Sequence, residues 1–374
     1  MIPRFTRTWA TFTPSAGAQI WLPQSGKSPC LNGASRFRRT WKPTKWRNSK
    51  RSFRNRNIGW RRNPAPPTPS RNLRMSEVRI PAFAKINLRL DILGKRADTY
   101  HELRTIFQTL SLHDEIWLKT SRQPGITLTI QGNASLAAEP TQKNLVYRAV
   151  DAVKRKLKIG GGVEIELKKR IPAGGGLGGG SSDAVAAMLG YLQLTRKKLV
   201  PAQMLEIAAP LGADVPFFLL GGRALGVNRG DEIYPLQDIL KMHVLVVVPQ
   251  GIRVATPDAF RWVNAKPLGL TKSAVDPKLI QFCALSWSAQ GSGLSNDFEG
   301  PVFRRHPRLD QIKRALLQKG ATEASLAGSG SAVFGIFPSP AMARRAAVGF
   351  PHDQTFVCET LSRERYARRM RIAE

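Results

Sequence analysis

A chain of 374 residues is long enough for two domains at roughly 150 residues each, with substantial cores. Hydrophobic residues make up 42% and charged residues 22%, which excludes a wholly disordered or fibrous protein. The formal net charge of +32 is unusual, and much of it lies at one end, because residues 1–74 hold 17 Lys and Arg and no Asp or Glu. The rest of the chain has 41 basic against 26 acidic residues, a net charge of +15.

The basic residues 1–74 do not resemble a domain. They contain five of the eight tryptophans and a Pro-rich stretch at 63–70, without helical or strand periodicity. Three interpretations stay open: an upstream stretch outside the functional protein, a transit peptide, or a basic arm that binds nucleic acid or anionic lipid. An orderly pattern begins at Met75, so we expect a chain that starts there to keep full activity.

Three cysteines, Cys30, Cys283 and Cys358, are too few and too scattered for a disulfide framework or a thiolate metal site. This predicts a reducing compartment, the cytoplasm, with a plastid location only if residues 1–74 are a transit peptide. No apolar run approaches the roughly 18 residues of a membrane-spanning helix, so no membrane partner is expected.

The first predicted element is a strand from Val78 to Ile92, in which apolar residues occupy the even positions. This alternation indicates one buried face. Lys85 and Asn87 then lie side by side on the opposite face, about 7 Å apart along the strand, where a cleft would receive both.

A second strand at 163–167 leads into a glycine-rich loop and a helix. The loop begins at Pro172 and has six glycines up to Gly180, and the Ala-rich run Asp183–Leu192 predicts the helix. Open N–H groups at a helix N-terminus, with the hydroxyls of Ser181 and Ser182, suit a phosphate chain. A flexible hinge is the alternative, but linkers do not usually lead directly into a capped helix.

The second half repeats the mixture of helices and strands. We predict a helix at 201–209, a strand at 243–249 and a strand at Val333–Phe337, which follows a further Gly-rich stretch, Ala327–Ser331. The fold class is therefore α+β, with one domain at 75–235 and another at 236–374.

The loop does not match two common phosphate-binding motifs. Gly174, Gly176 and Gly179 have the spacing of a dinucleotide fingerprint, yet no strand ending in Asp or Glu follows about twenty residues later. A Walker A loop requires a lysine directly before its Ser or Thr, and no lysine stands before Ser181. The catalytic-loop and metal-binding motifs of protein kinases are also absent from the sequence.

The loop instead resembles the central ATP-binding motif of the GHMP kinases. Within that superfamily the chain resembles the 4-diphosphocytidyl-2-C-methyl-D-erythritol kinases of the non-mevalonate isoprenoid pathway. The matching segments, all after residue 77, are 84–88, 94–108, 144–149, Pro172–Ser182, 212–218, 296–299 and 328–331.

This resemblance implies a two-domain fold with the active site in the cleft between domains, and transfer of the ATP γ-phosphoryl group to the 2-hydroxyl of a substrate that carries cytidine diphosphate. It implies Asp214 as general base, Lys85 as the cation beside it, and Asn87 as a ligand of the substrate hydroxyls. As general base, Asp214 would raise the reaction rate by about 10²- to 10⁴-fold. A helix N-cap is the alternative role for Asp214, and a solvated strand face is the alternative for Lys85.

The resemblance also implies the residues that hold each ligand. Tyr100 and Phe260 would sandwich the cytosine ring and His101 would bond its polar edge, while Pro257 and Phe107 line the pocket. Asn144 and Leu145 would lie by the adenine. The implied ATP cradle consists of Pro172, Gly174, Gly175, Gly176, Leu177, Gly178, Gly179, Gly180, Ser181 and Ser182. Mg²⁺ is expected on the β- and γ-phosphates, with Ser182 and Asp183 as candidate contacts.

Two alternatives remain. Another GHMP kinase, of mevalonate or homoserine type, would act on a small alcohol without a nucleotide. Such a substrate would not need Tyr100, His101 and Phe260. A nucleic-acid-binding protein with residues 1–74 as its active part would show salt-dependent binding by those residues alone.

Overall fold

The computed structural model describes residues 77–267 and 293–371. The interpretations of residues 1–74, and Cys30 and Cys283, lie outside these ranges. The strands are β1 (Glu77–Lys95), β2 (His101–Ser121), β3 (Gly125–Gln131), β4 (Gly162–Lys168), β5 (Arg223–Val227), β6 (Glu232–Pro235), β7 (His243–Val248), β8 (Ser295–Asn296), β9 (Glu323–Leu326), β10 (Val333–Phe337) and β11 (Gln354–Glu359).

The helices connect these strands. They are α1 (Ala134–Ala137), α2 (Leu145–Lys156), α3 (Gly179–Thr195), α4 (Pro201–Ala208), α5 (Val215–Leu220), α6 (Thr256–Val263), α7 (Glu299–Arg305), α8 (Pro307–Gln318), α9 (Pro340–Ala347) and α10 (Arg363–Met370). The predicted α+β class is confirmed.

Two sheets organise the described residues. The first has the order β3-β4-β2-β1-β8, with β5 paired to β2 and β6 to β5, and the second has the order β11-β7-β10-β9. In the first sheet β3 and β4 are parallel, as are β1 and β8, and the remaining pairs are antiparallel. Strand β8 comes from the second half of the chain, so both halves contribute to this sheet.

Strand β1 is buried on both faces, and the prediction of a single buried face is wrong. Register shifts against β2 interrupt the alternation between Phe83 and Arg89, as β-bulges do. Ala82 packs into the core beneath α2 and α3, whereas Ala84 and Ile86 pack against the second sheet. The apolar residues therefore cover both sides of the strand.

Helix α3 packs across the first sheet and is apolar on almost all sides. Its buried residues include Val185, Met188 and Tyr191, and a helix of this kind belongs in a core. It begins at Gly179, four residues before the predicted start, after Gly178 in the left-handed region at φ 71°. The last glycines of the loop are therefore already helical.

The two sheets pack face to face through a shared core that joins Ile86 and Leu110 of the first sheet to Val246 and Phe334 of the second. A further core lies under α7, α8 and α9 and includes Leu90 of β1. The division at residue 235 remains a prediction. Across the described ranges no helix is long and apolar enough to cross a membrane.

Candidate active site

A cleft of about 480 Å³ opens where the glycine loop meets residues from both halves of the chain, a size typical of ligand sites. Its walls come from β1, the loop 172–180, the start of α3 and the turn before α5. The second half contributes Thr256, Phe260, Phe298, Gly328 and Ser329.

Lys85 and Asp214 meet in this cleft. The Lys85 ammonium lies 3.3 Å from Asp214 Oδ2 and donates a hydrogen bond of 2.8 Å to Asn87 Oδ1. The Lys85 side chain is 4% exposed and that of Asp214 is 33% exposed. A buried cation therefore faces a carboxylate that stays open to the cleft. The alternative position of Lys85 on a solvated strand face is wrong, because its side chain is buried.

A chain of hydrogen bonds fixes the position of Asn87, the hydrogen-bond partner of Lys85. Asn87 Nδ2 donates to Thr105 Oγ1 at 2.7 Å, and Thr105 Oγ1 donates to the Arg89 carbonyl oxygen at 2.7 Å. This sets the orientation of the Asn87 amide, so its oxygen faces the Lys85 ammonium. Phe107 lies beneath, with its ring centroid 5.4 Å from Lys85 Nζ.

Asp214 occupies the N-cap position of α5 but does not cap the helix with its side chain. Pro216 stands in the first turn, where its missing N–H costs nothing. Because the helix start needs no carboxylate, the Asp214 side chain is available to the cleft.

The glycine loop lies directly over Lys85. The Lys85 N–H donates to the Leu177 carbonyl oxygen at 2.9 Å. A Cβ at Gly178 would lie 2.9 Å from both Lys85 Cγ and Phe218 Cζ, too close for any side chain. Glycine is needed here both for its positive φ and for this close approach.

The residues at the start of α3 line the cleft from Gly178 to Ser181. The first N–H groups of any helix have no partner within it, and they carry partial positive charge. Asn144 caps α2 by accepting a hydrogen bond from the Val146 N–H at 2.9 Å, and Asn144 and Leu145 also line the cleft. Ser182 is fully buried, and its hydroxyl lacks a partner among the described residues.

Beneath the loop lies a buried charge cluster that sequence reasoning missed. Lys169 Nζ donates to Asp114 Oδ2 at 2.5 Å and to Asp183 Oδ2 at 2.7 Å. Burial raises the pKa of Asp183 from 3.8 to about 8, against the opposing effect of the Lys169 charge. Burial alone would lower the pKa of Lys169, but the two carboxylates outweigh it and raise that pKa. In the sequence, Lys169 has the appearance of a solvated residue at a strand end.

A second cavity of about 850 Å³ adjoins the cleft and brings together Tyr100, His101, Pro257 and Phe260. The His101 ring stacks on Phe260 at 4.6 Å between centroids and 20° between planes, and Tyr100 is 55% exposed. Burial, and then the nearby charge of Lys95, lower the pKa of His101, so its imidazole is neutral at pH 7. Phe107 does not line this cavity. It is a core residue stacked on Phe217, and it lines the cleft around Lys85 and Asp214 instead.

Arg229 and Thr256 line both cavities and were not singled out from the sequence. The Arg229 guanidinium lies 4.9 Å from the Tyr100 ring centroid, and its Nε donates to Asp231 Oδ2 at 2.9 Å. The Thr256 hydroxyl lies 3.0 Å from that of Ser329. Neither residue belongs to a recognisable motif, so only the fold reveals them.

Known proteins match the chain in both sequence and structure. Family models for the GHMP kinases N terminal domain and the GHMP kinases C terminal match residues 144–222 and 280–351. A 4-diphosphocytidyl-2-C-methyl-D-erythritol kinase of Solibacter usitatus (strain Ellin6076) is 43% identical over 289 residues, which are 76% of this chain and 89% of that protein. The chain belongs to the 4-diphosphocytidyl-2-C-methyl-D-erythritol kinase family.

Solved structures agree with this family. The crystal structure of a 4-(cytidine 5'-diphospho)-2C-methyl-D-erythritol kinase has a TM-score of 0.62 and 34% identity, and the match covers 76% of this chain and 99% of that one. A homoserine kinase from Cytophaga hutchinsonii has a TM-score of 0.55 at 22% identity, over 76% of this chain and 95% of that one, and this likeness concerns the fold alone. As a member of the family, the chain is an ATP-dependent small-molecule kinase with the GHMP kinase fold.

Proposed function

We propose that this kinase transfers the γ-phosphoryl group of ATP to the 2-hydroxyl of 4-diphosphocytidyl-2-C-methyl-D-erythritol, in the formation of isoprenoid precursors. The names of the relatives support this substrate. The observation that carries the proposal is the junction of the Lys85–Asp214 cleft with the aromatic cavity, because a substrate with a pyrimidine at one end and an alcohol at the other needs both.

In the proposed reaction Asp214 is the general base. Its carboxylate accepts the proton of the 2-hydroxyl while that oxygen bonds to the γ-phosphorus, and the bond from the γ-phosphorus to the β–γ bridging oxygen breaks to release ADP. The Lys85 ammonium, 3.3 Å away, holds the Asp214 carboxylate and adds positive charge where the transferring group is most negative. Asn87, bonded to Lys85, binds the substrate hydroxyls.

The aromatic cavity is proposed to hold the cytidine diphosphate portion. Tyr100 offers a half-exposed face for the pyrimidine, and Phe260 offers the face that His101 does not cover, each such contact worth roughly 1 to 3 kcal/mol in nucleic-acid systems. The neutral imidazole of His101 carries both a donor and an acceptor for the ring's polar edge. Pro257 completes this wall, and Arg229, at the boundary of the two cavities, supplies positive charge for the diphosphate.

The glycine loop and the start of α3 are proposed to hold the ATP phosphates, with Asn144 and Leu145 beside the adenine. Three observations support this assignment: loop glycines with positive φ at 174, 176 and 178, the cleft that the loop lines, and the open N–H groups of α3. The Ser181 side chain lines the cleft as a further donor.

Magnesium is proposed to arrive with the nucleotide, because its shell needs few protein ligands when phosphates and water fill it. Within the described ranges no group of three or more His, Cys, Asp or Glu residues could hold a metal ion. Asp183 is bonded to Lys169 through Oδ2, whereas its Oδ1, like the Ser182 hydroxyl, is buried without a hydrogen-bond partner among the described residues. Asp183 also lines the cleft, so these two residues stay candidate contacts for a magnesium ion that the phosphates bring.

The proposal is tested by phosphorylation with γ-labelled ATP of four acceptors in parallel: the cytidyl substrate, free methylerythritol, mevalonate and homoserine. We expect turnover of the cytidyl substrate alone, since the other three lack the pyrimidine. A higher kcat/KM for mevalonate or homoserine would overturn the proposal in favour of another GHMP kinase activity.

A further inference from the structure

The buried cluster of Asp114, Lys169 and Asp183 connects the two ends of the glycine loop. Lys169 comes directly after β4 and precedes the loop, whereas Asp183 follows it in the first turns of α3. The Lys169 ammonium bonds both carboxylates, and the side chains of all three residues are at most 4% exposed.

Asp114, on β2, holds the entrance of the loop by two further bonds. Its Oδ1 accepts the backbone N–H of Arg170 at 2.5 Å and that of Ile171 at 2.7 Å. One carboxylate of the sheet therefore fixes the residues that lead into the loop, and through Lys169 it also fixes the helix that leaves it.

Three buried ionisable groups are costly, and a structural role alone does not require them, because apolar side chains of similar volume often stabilise a core equally well. The loop between them has six glycines, each with a large conformational entropy to lose. A phosphate cradle acts through donors held in place before the ligand arrives. A rigid connection between the loop ends supplies that order.

We propose that Asp114, Lys169 and Asp183 form a clamp that holds the glycine loop and the first N–H groups of α3 in position for the phosphates of ATP. Asp114 acts through the backbone of the loop entrance, whereas Lys169 and Asp183 also line the cleft. We assign all three as positioning residues because their hydrogen bonds are to one another and to the loop entrance. The inference rests on the proposed function only for its kinetic readout, because nucleotide binding can be measured without an acceptor.

The test compares Lys169→Met with Lys119→Met in the full-length chain. Lys119 forms an ion pair of 2.8 Å with Glu164 between the same two strands, but its side chain is 47% exposed, so this variant is a matched control. Binding of ADP by calorimetry and the KM values of ATP and of the cytidyl substrate are measured well below the unfolding temperature. Small displacements of a binding group reduce rates by up to about 10²-fold.

For Lys169→Met we expect a Kd for ADP and a KM for ATP raised by about tenfold or more, with the KM of the cytidyl substrate within about twofold of wild type. Lys119→Met leaves all three within about twofold. A lowered unfolding temperature with unchanged Kd and KM for the nucleotide would overturn the clamp in favour of a structural role.

If circular dichroism shows that Lys169→Met does not fold, ADP binding by Asp183→Asn and Asp183→Ala tests the proposal instead. Asn keeps an oxygen that can accept from Lys169, whereas Ala does not. We expect Asp183→Ala to weaken ADP binding several-fold more than Asp183→Asn, and equal binding by the two variants would overturn the proposal. These outcomes are independent of which alcohol the enzyme phosphorylates.

Discussion

Gly176 of the first glycine loop packs directly against the carbonyl of Ala327 in the second glycine-rich stretch. A Cβ at Gly176 would lie 1.9 Å from that carbonyl oxygen, far inside any permitted contact. The two stretches are thus in backbone contact, and Asn296 fixes the second by donating to the carbonyl oxygens of Leu326 and Gly328 at 2.9 and 2.8 Å.

This contact predicts a large effect of Gly176→Ala on stability. Gly176 has φ 76°, so alanine adds backbone strain of about 1 to 2 kcal/mol and a clash with main chain that costs roughly 1 to 3 kcal/mol more. Gly251 has φ 75° with nothing within 4 Å of its added Cβ, and Gly251→Ala therefore carries the strain alone. Urea unfolding checks the difference, and equal losses in the two variants would contradict the contact.

Replacement of the proposed base separates catalysis from binding. We expect Asp214→Asn to lower kcat by about 10²- to 10⁴-fold, because the amide cannot take the hydroxyl proton. Calorimetry should find the Kd of ADP and of cytidine diphosphate nearly unchanged. Asp151→Asn, on the outer face of α2 and paired with Arg155, is the control and keeps wild-type turnover. Activity of Asp214→Asn within tenfold of wild type would rule out Asp214 as the base.

Two half-exposed tyrosines test the aromatic cavity. Tyr100→Ala removes a stacking face worth roughly 1 to 3 kcal/mol, so the KM of the cytidyl substrate should rise by about 5- to 150-fold while the KM of ATP does not change. Tyr234 is 49% exposed on β6 and lines neither cavity, which makes Tyr234→Ala the matched control. Equal KM values for the two variants would show that Tyr100 does not contact the pyrimidine.

The raised pKa of Asp183 predicts how stability depends on pH. Burial raises it to about 8 from 3.8, so between these values the folded chain keeps a proton that the unfolded chain has released. The contribution of Asp183 to stability therefore falls as pH rises through this window and changes no further above it. Asp183→Asn has no such proton to lose. The unfolding free energy of this variant minus that of wild type should therefore rise from pH 5 to pH 8.5. Parallel stability curves would show that the Asp183 pKa is not raised.

Elements with a strong local pattern could be predicted from the sequence. The strand Val333–Phe337 has the predicted bounds, and β1 contains the predicted strand, because runs of apolar and β-branched residues specify such segments. The start of α3 was predicted four residues late, since glycine has low helix propensity and packing of the apolar helix overrides it. The alternation of apolar and polar residues along the sequence does not reveal the β-bulges in β1.

Some residues of the candidate site could likewise be predicted from the sequence, and others could not. Lys85 and Asn87 were predicted side by side from strand geometry, and they are hydrogen bonded. The buried charge cluster could not be predicted, because Asp114 lies on β2, Lys169 after β4 and Asp183 on α3, and no local pattern brings the three together. The assignment of Phe107 to the pyrimidine pocket came from resemblance, whereas packing against Phe217 puts its ring below Lys85.

The hydrogen bond from the Lys85 N–H to the Leu177 carbonyl oxygen joins β1 to the glycine loop by main chain alone. In the proposed function, a shift of the loop on nucleotide binding that keeps this bond would also displace the Lys85 ammonium beside the acceptor alcohol. A coupling of this kind would be reciprocal, so that each ligand would change the affinity of the other by the same factor. Such coupling between the two sites would be carried by the backbone, which side-chain substitutions at Lys85 leave in place.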